Sequence, residues 1–192
     1  MSRRLSAILP ALLAAHVCLA QTEATPVRLI GMYGEAFAPA SQGPAEMGAL
    51  AVARDFRLTG RLTIAAELFP FLLFSQTHRV GPERTPERET AGAVALGLPL
   101  GFTVGDRAGD WLVRFDGGSG LFYGFSKVPA GGTHFNFFNQ IGAVVIRRLG
   151  SGHRLALGYR LVHVSNLHIG GINNPGLSLH TAVVMFDWPG KR

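Results

Sequence analysis

One pattern restricts this chain more than any other. Runs of about 10 to 18 residues alternate apolar with small or polar side chains, and each closes on a turn signal. The clearest is Ala93 to Thr103, where Val94, Leu96, Leu98, Leu100 and Phe102 share one side. Ala93, Ala95, Gly97, Pro99, Gly101 and Thr103 share the other. Successive side chains of a strand point to opposite faces, so such a run has one greasy and one small-residue face. A later run sets Trp111, Val113, Phe115, Leu121, Tyr123 and Phe125 against Arg114, Asp116, Gly118, Gly120, Gly124 and Ser126. Another sets Leu62, Ile64, Leu68, Leu72 and Phe74 against Arg61, Thr63 and Glu67. A face holding Gly, Ala, Arg and Asp suits a narrow lumen better than a solvated surface. Apolar outside and polar inside is the pattern of a membrane barrel.

Eight such runs are expected, at about 27–38, 46–58, 61–77, 89–104, 111–128, 134–149, 153–166 and 177–188. They predict an all-β fold, an eight-stranded antiparallel transmembrane barrel of the outer-membrane type. Residues 1–20 read as a secretory signal peptide. Arg3 and Arg4 precede the apolar stretch Ile8 to Val17, and Cys18-Leu19-Ala20 supplies small residues for cleavage before Gln21. A lipoprotein reading of Cys18 is weaker, because His16 and Val17 are poor neighbours for a lipidation site. The barrel domain is then 21–192. Cys18 is the one cysteine, so this exported domain relies on no disulfide.

After the signal no apolar stretch reaches the ~18 residues a membrane helix needs; the best, Leu62 to Phe74, contains Glu67 and Pro70. The formal charge is +6, of which Arg3 and Arg4 supply two. There is no Lys/Arg-rich run, and nucleic acid is not an expected partner.

The connections alternate in character. Thr59-Gly60, Gly105 to Asp110 and Gly150 to Gly152 are tight, whereas Pro39 to Ala45, His78 to Arg88, Pro129 to Thr133 and Leu167 to Gly176 are mostly longer. Barrels keep short turns at the periplasmic side and longer loops outside. Two runs fit less well. Arg54 falls on the lipid face among Leu50, Val52, Phe56 and Leu58, where only snorkelling would accommodate it. The run from His134 to Leu149 reads in either parity around Asn136, Asn139 and Gln140.

That orientation places the end of the seventh run, His163-Val164-Ser165-Asn166, in the outer leaflet. Leu155, Leu157, Tyr159, Leu161, His163 and Ser165 share its apolar face, while Arg160 points inward. A histidine and serine facing lipid make sense if the substrate is itself a lipid. Ester hydrolysis needs a hydroxyl nucleophile, a base within reach and donors for the oxyanion. Residues i and i+2 of a strand lie ~6.5–7 Å apart on one face, and an imidazole spans that gap. Asn166 and the turn Gly170 to Gly176 supply candidate amide donors. His-x-Ser also arises by chance, and polar residues are common at strand ends.

These residues resemble a family. His163-Val-Ser165-Asn166, followed by Asn174-Pro175-Gly176, is similar to the active-site signature of the lipid A 3-O-deacylases, the PagL or acyloxyacyl hydrolase family. Gly118 to Tyr123, Val128-Pro129 and Phe135-Asn136-Phe137, with Gln140 and Gly142, are similar to that family's central strands. The resemblance covers roughly Trp111 to Phe186. It implies an outer-membrane barrel with an active site on the outside of its wall, hydrolysing the ester of a 3-hydroxyacyl chain at the 3-position of lipid A. No metal or other cofactor is implied. Carried over, His163 is the general base and Ser165 the nucleophile, while Asn166 and the Asn174–Gly176 turn help form the oxyanion hole.

The chain departs from the family at one position. Members with a full triad place a carboxylate two residues beyond that glycine, where this chain has Ser178. A slow enzyme with Ser178 or a loop amide orienting His163 is the expectation.

Other features are weaker. His163, His168 and His180 lack a carboxylate at metal-ligand spacing. His78, Arg79, Arg84 and Arg88 alternate with Glu83, Glu87 and Glu89, which reads as a solvated loop rather than a phosphate site. Arg114 with Asp116 and Arg61 with Glu67 read as lumen ion pairs. Gly117 to Gly120 precedes no helix and is no phosphate loop. The expected partners are lipopolysaccharide and the outer membrane, with a homodimer left open. The alternatives are a non-catalytic barrel of the same fold with a structural or lipid-binding role, and an exported soluble barrel with an apolar interior. The small and charged residues opposite the apolar face speak against the latter.

Overall fold

Every backbone N–H and C=O in lipid must find a partner, and closing a sheet into a cylinder removes its unpaired edges. The computed structural model describes residues 26–36, 44–80, 85–105, 109–169 and 176–189, with backbone alone for 78–80. It adopts that closure. β1 (Val27–Ala36), β2 (Ala45–Arg57), β3 (Leu62–Val80), β4 (Thr85–Val104), β5 (Trp111–Val128), β6 (Thr133–Arg148), β7 (Arg154–Ser165) and β8 (Leu177–Trp188) follow in order. Each pairs antiparallel with the next, and β8 returns to β1. The expected eight-stranded all-β barrel is the fold observed. The signal peptide at 1–20 and Asn174 lie outside the described residues.

Parity follows the alternation. Leu29, Leu50, Leu98, Phe115, Ile141, Leu157 and Val184 are exposed around the outer wall. Trp111, Trp188, Tyr123 and Phe125 add aromatic side chains towards its two ends. Arg54 is exposed outside, as its position required. The ambiguity in β6 resolves with Asn136, Phe138 and Gln140 inward and Asn139 half-exposed outward.

Three expectations need correction. Leu72 and Phe74 were expected on the lipid face with Leu68, but both are buried inside. The register of β3 slips against β4 between Phe69 and Leu72, around Pro70, which has no N–H to give a ladder. Everything beyond that bulge changes face. The solvated loop expected over 78–88 is largely a continued hairpin, pairing His78 with Glu87 and Val80 with Thr85. Its polar residues rise beyond the apolar belt, where alternation of hydrophobicity no longer marks a strand. Glu67 pairs with Arg160 instead of Arg61. Arg61 and Glu67 are six positions apart along extended chain, ~20 Å at strand rise, beyond side-chain reach.

The lumen is divided. One half holds a chain of ion pairs: Arg160 binds Glu67 at 2.9 Å and Asp116 at 3.0 Å, and Gln140 donates to Glu67 at 2.7 Å. Arg114 joins Asp116 to Asp55, and Arg28 joins Asp55 to Asp187. These residues come from every strand except β4. That strand contributes room: a Cβ on Gly101 would lie 2.5 Å from the Arg114 guanidinium, and one on Gly97 would lie 3.0 Å from Gln140 Nε2. The other half is mainly apolar. Phe69 packs on Phe138 with centroids 5.1 Å apart, and Phe74 on Phe122 at 5.5 Å. Val162, Val164, Leu177 and Leu179 are buried with them, so the wall carrying the His163 segment has a close-packed backing.

Candidate active site

The last turns of the alternation in β7 set the site. Leu157 and Tyr159 are exposed outside, Arg160 is wholly buried in the lumen, and Val162 and Val164 point into the apolar half. His163 is therefore on the outer wall, half-buried. Its ladder neighbours are Asn139 on β6 and Ser178 on β8. Directly opposed residues share a face, and the imidazole Nδ1 lies 2.8 Å from Ser178 Oγ. Nε2 is left as the ring nitrogen available to a reacting group. On that side Gly176, at φ +65°, comes close to the ring. A Cβ there would lie 3.0 Å from His163 Cε1 and 3.4 Å from Nε2, so any larger residue would displace the imidazole.

Ser165 ends β7. By position it continues the outward face, yet it is only 7% exposed, because the chain folds back directly after it. The Leu167 N–H donates to Ser165 Oγ at 3.2 Å. No hydrogen bond joins Ser165 to His163 among the described residues. Asn166 shapes the turn: its carbonyl accepts from Ile169 N–H at 3.1 Å and its Oδ1 from His168 N–H at 2.9 Å. The remaining amide, Asn166 Nδ2, is buried with no partner among the described residues. A buried donor without an acceptor is costly, and it becomes useful where negative charge develops beside it.

Leu167 and His168 both take left-handed backbone, at φ +53° and +59°. Bulky residues rarely adopt this conformation, and it concentrates at functional sites. Neither side chain announces it, so reading the sequence missed it. Also missed was the Tyr159 hydroxyl bonded to His180 Nδ1 on the outer wall, a diagonal contact between strands that spacing does not reveal. His168 sits in the turn and His180 is held by Tyr159, so the two do not gather around His163. Among the described residues no three His, Cys, Asp or Glu are placed to share a metal.

The assembled parts are an imidazole anchored at Nδ1, a neighbouring hydroxyl and an unpartnered amide, on the outer face of a lipid-facing wall. The model for the family described as PagL, lipid A 3-O-deacylase, matches residues 56–187. Among solved structures, the outer membrane enzyme PagL is similar with a TM-score of 0.58 at 14% identity, covering 82% of this chain and 97% of that one. Neisserial surface protein A is similar with a TM-score of 0.54 at 14% identity, covering 86% of this chain and 98% of that one. Those two likenesses are of fold. No curated protein sequence matches the chain.

Proposed function

The chain belongs to the PagL family of lipid A 3-O-deacylases and is an outer-membrane β-barrel, and from that premise we propose that it hydrolyses the ester at the 3-position of lipid A with Ser165 and His163. The observation that carries this reading is the hydrogen bond at 2.8 Å between His163 Nδ1 and Ser178 Oγ on the lipid-facing wall. Family membership supports the reaction class.

With its proton on Nδ1 donated to Ser178 Oγ, His163 presents Nε2 as base. A rotation of Ser165 about χ1 releases the Leu167 amide and brings Oγ towards Nε2. As Oγ attacks the ester carbonyl, its proton passes to Nε2. The carbonyl carbon becomes tetrahedral, and its oxygen gains the negative charge. Among the described residues, Asn166 Nδ2 and the Leu167 N–H, no longer held by Oγ, are candidate donors for that oxyanion. Collapse expels the sugar 3-oxygen, which takes the proton from Nε2. Water, deprotonated by the same nitrogen, then frees the 3-hydroxy fatty acid and restores Ser165.

Ser178 stands where fuller triads carry a carboxylate. A neutral hydroxyl holds the tautomer but does little for the positive charge that His163 gains in the transition state. The reading is therefore of a slow esterase. Its test is turnover of purified lipid A by the folded barrel, with Ser165→Ala as control: release of one 3-hydroxy fatty acid by the wild type alone supports it. No release by a folded wild type contradicts it.

A further inference from the structure

A second cluster of charge lies at the opposite end of the barrel from His163, inside the lumen. A cavity of about 290 Å³ opens there, lined by Arg28, Arg57, Arg61, Arg114, Arg148 and Arg154, with Asp55 as the carboxylate on its wall. Arg28 and Arg114 are both engaged by Asp55, and each reaches a second carboxylate deeper in the ion chain, Asp187 and Asp116 respectively.

Three of the others are differently placed. Arg148 on β6 stands directly opposite Arg154 on β7, and like charges facing each other across a ladder repel. Asp187 is the partner of Arg154 on β8, but its carboxylate is turned to Arg28, 2.6 Å away. Arg61 lines the same cavity from the turn between β2 and β3. Among the described residues, no carboxylate pairs with Arg61, Arg148 or Arg154, and Arg148 Nε is buried without an acceptor.

We propose that this vestibule is an anion site, in which Arg61, Arg148 and Arg154 hold a phosphate group. Guanidinium forks match phosphate oxygens in geometry and bind them through charge-assisted hydrogen bonds. Three guanidiniums without a carboxylate partner among the described residues favour a multiply charged anion over a single carboxylate. An anion between Arg148 and Arg154 also turns their repulsion into a bridge between β6 and β7. The cavity opens at the end of the barrel that carries the start of β1, the end of β8 and the short connections. The phosphate comes either from free anion in the adjoining aqueous space or from a phospholipid headgroup at that membrane surface. This site is independent of the ester chemistry at the other end.

The test uses the full barrel, folded in a non-ionic maltoside detergent and studied by titration calorimetry. One arm titrates inorganic pyrophosphate; the other titrates dihexanoyl phosphatidic acid below its micellar concentration. Saturable binding of one equivalent is expected. Arg148→Gln with Arg154→Gln weakens it at least about tenfold, the loss expected on removing charge-assisted contacts. Arg61→Gln, on an exposed turn, weakens it too and carries the test should the double variant not fold. Arg88→Gln is the control, since that exposed arginine pairs with Glu46 away from the cavity. Binding of pyrophosphate identifies free anion as the source; binding of phosphatidic acid alone identifies the headgroup. Absence of saturable binding in both arms, or equal affinity in the arginine variants, overturns the site.

Discussion

His163 and Ser178 face each other across the β7–β8 ladder, with imidazole Nδ1 2.8 Å from the serine hydroxyl. If that hydroxyl accepts the Nδ1 proton, Ser178→Ala lowers kcat about tenfold, the worth of one neutral hydrogen bond. Ser178→Glu raises kcat above wild type by stabilising the imidazolium. Release of 3-hydroxy fatty acid from lipid A, by barrels with wild-type heat-modifiable mobility, measures both. Equal rates in all three proteins would remove Ser178 from the mechanism.

Asn166 offers a sharper substitution than alanine. Asn166→Asp keeps an acceptor for the His168 N–H while deleting the unpartnered Nδ2 donor. On the proposed reading kcat falls by about 10²–10³, with KM nearly unchanged, as for loss of one oxyanion donor. A loss confined to KM assigns Asn166 to substrate binding instead.

Gly176 combines a left-handed backbone with contact to the imidazole edge. Gly176→Ala carries a backbone penalty of about 1 kcal/mol and presses a methyl group against His163. Turnover is expected to fall far more than stability, read by comparing kcat with the urea midpoint of the same preparation. Parallel losses would mean that the glycine serves folding alone.

In the lumen, Arg160 meets Glu67 and Asp116 with all three side chains fully buried. Arg160→Met leaves buried Glu67 with the Gln140 amide but no cation, and takes from Asp116 one of its two guanidiniums; it is expected to cost about 3–5 kcal/mol. Adding Glu67→Met recovers part of it, because fewer buried charges remain. Urea unfolding in detergent, followed by tryptophan fluorescence, gives both values. A neutral Arg160→Met would show that water reaches this network and solvates it.

The sequence carried the strand count, most strand ends and the outward face of Leu96, Leu98, Leu100 and Phe102, because lipid and lumen impose opposite chemistries on alternate residues. It carried less wherever a local event broke the period. The slip at Pro70 reversed Leu72 and Phe74, and nothing in their side chains signals which face they join. Pairing partners between distant strands were equally hidden: Arg160 is 93 residues from Glu67. The candidate site was legible through the short motif His163-Val164-Ser165-Asn166 and the position of Ser178. The left-handed turn at Leu167 and His168 was not, since it depends on hydrogen bonds made by Asn166 and on the fold of the chain after β7.

The central claim is tested most directly by mass spectrometry of lipid A from cells expressing this chain in the outer membrane. Loss of the mass of one 3-hydroxyacyl group is predicted for the wild type, with unchanged lipid A for Ser165→Ala and His163→Ala barrels of equal abundance and fold. Unchanged lipid A with a folded wild-type barrel, confirmed in detergent with purified substrate, would contradict the assignment and leave a non-catalytic barrel.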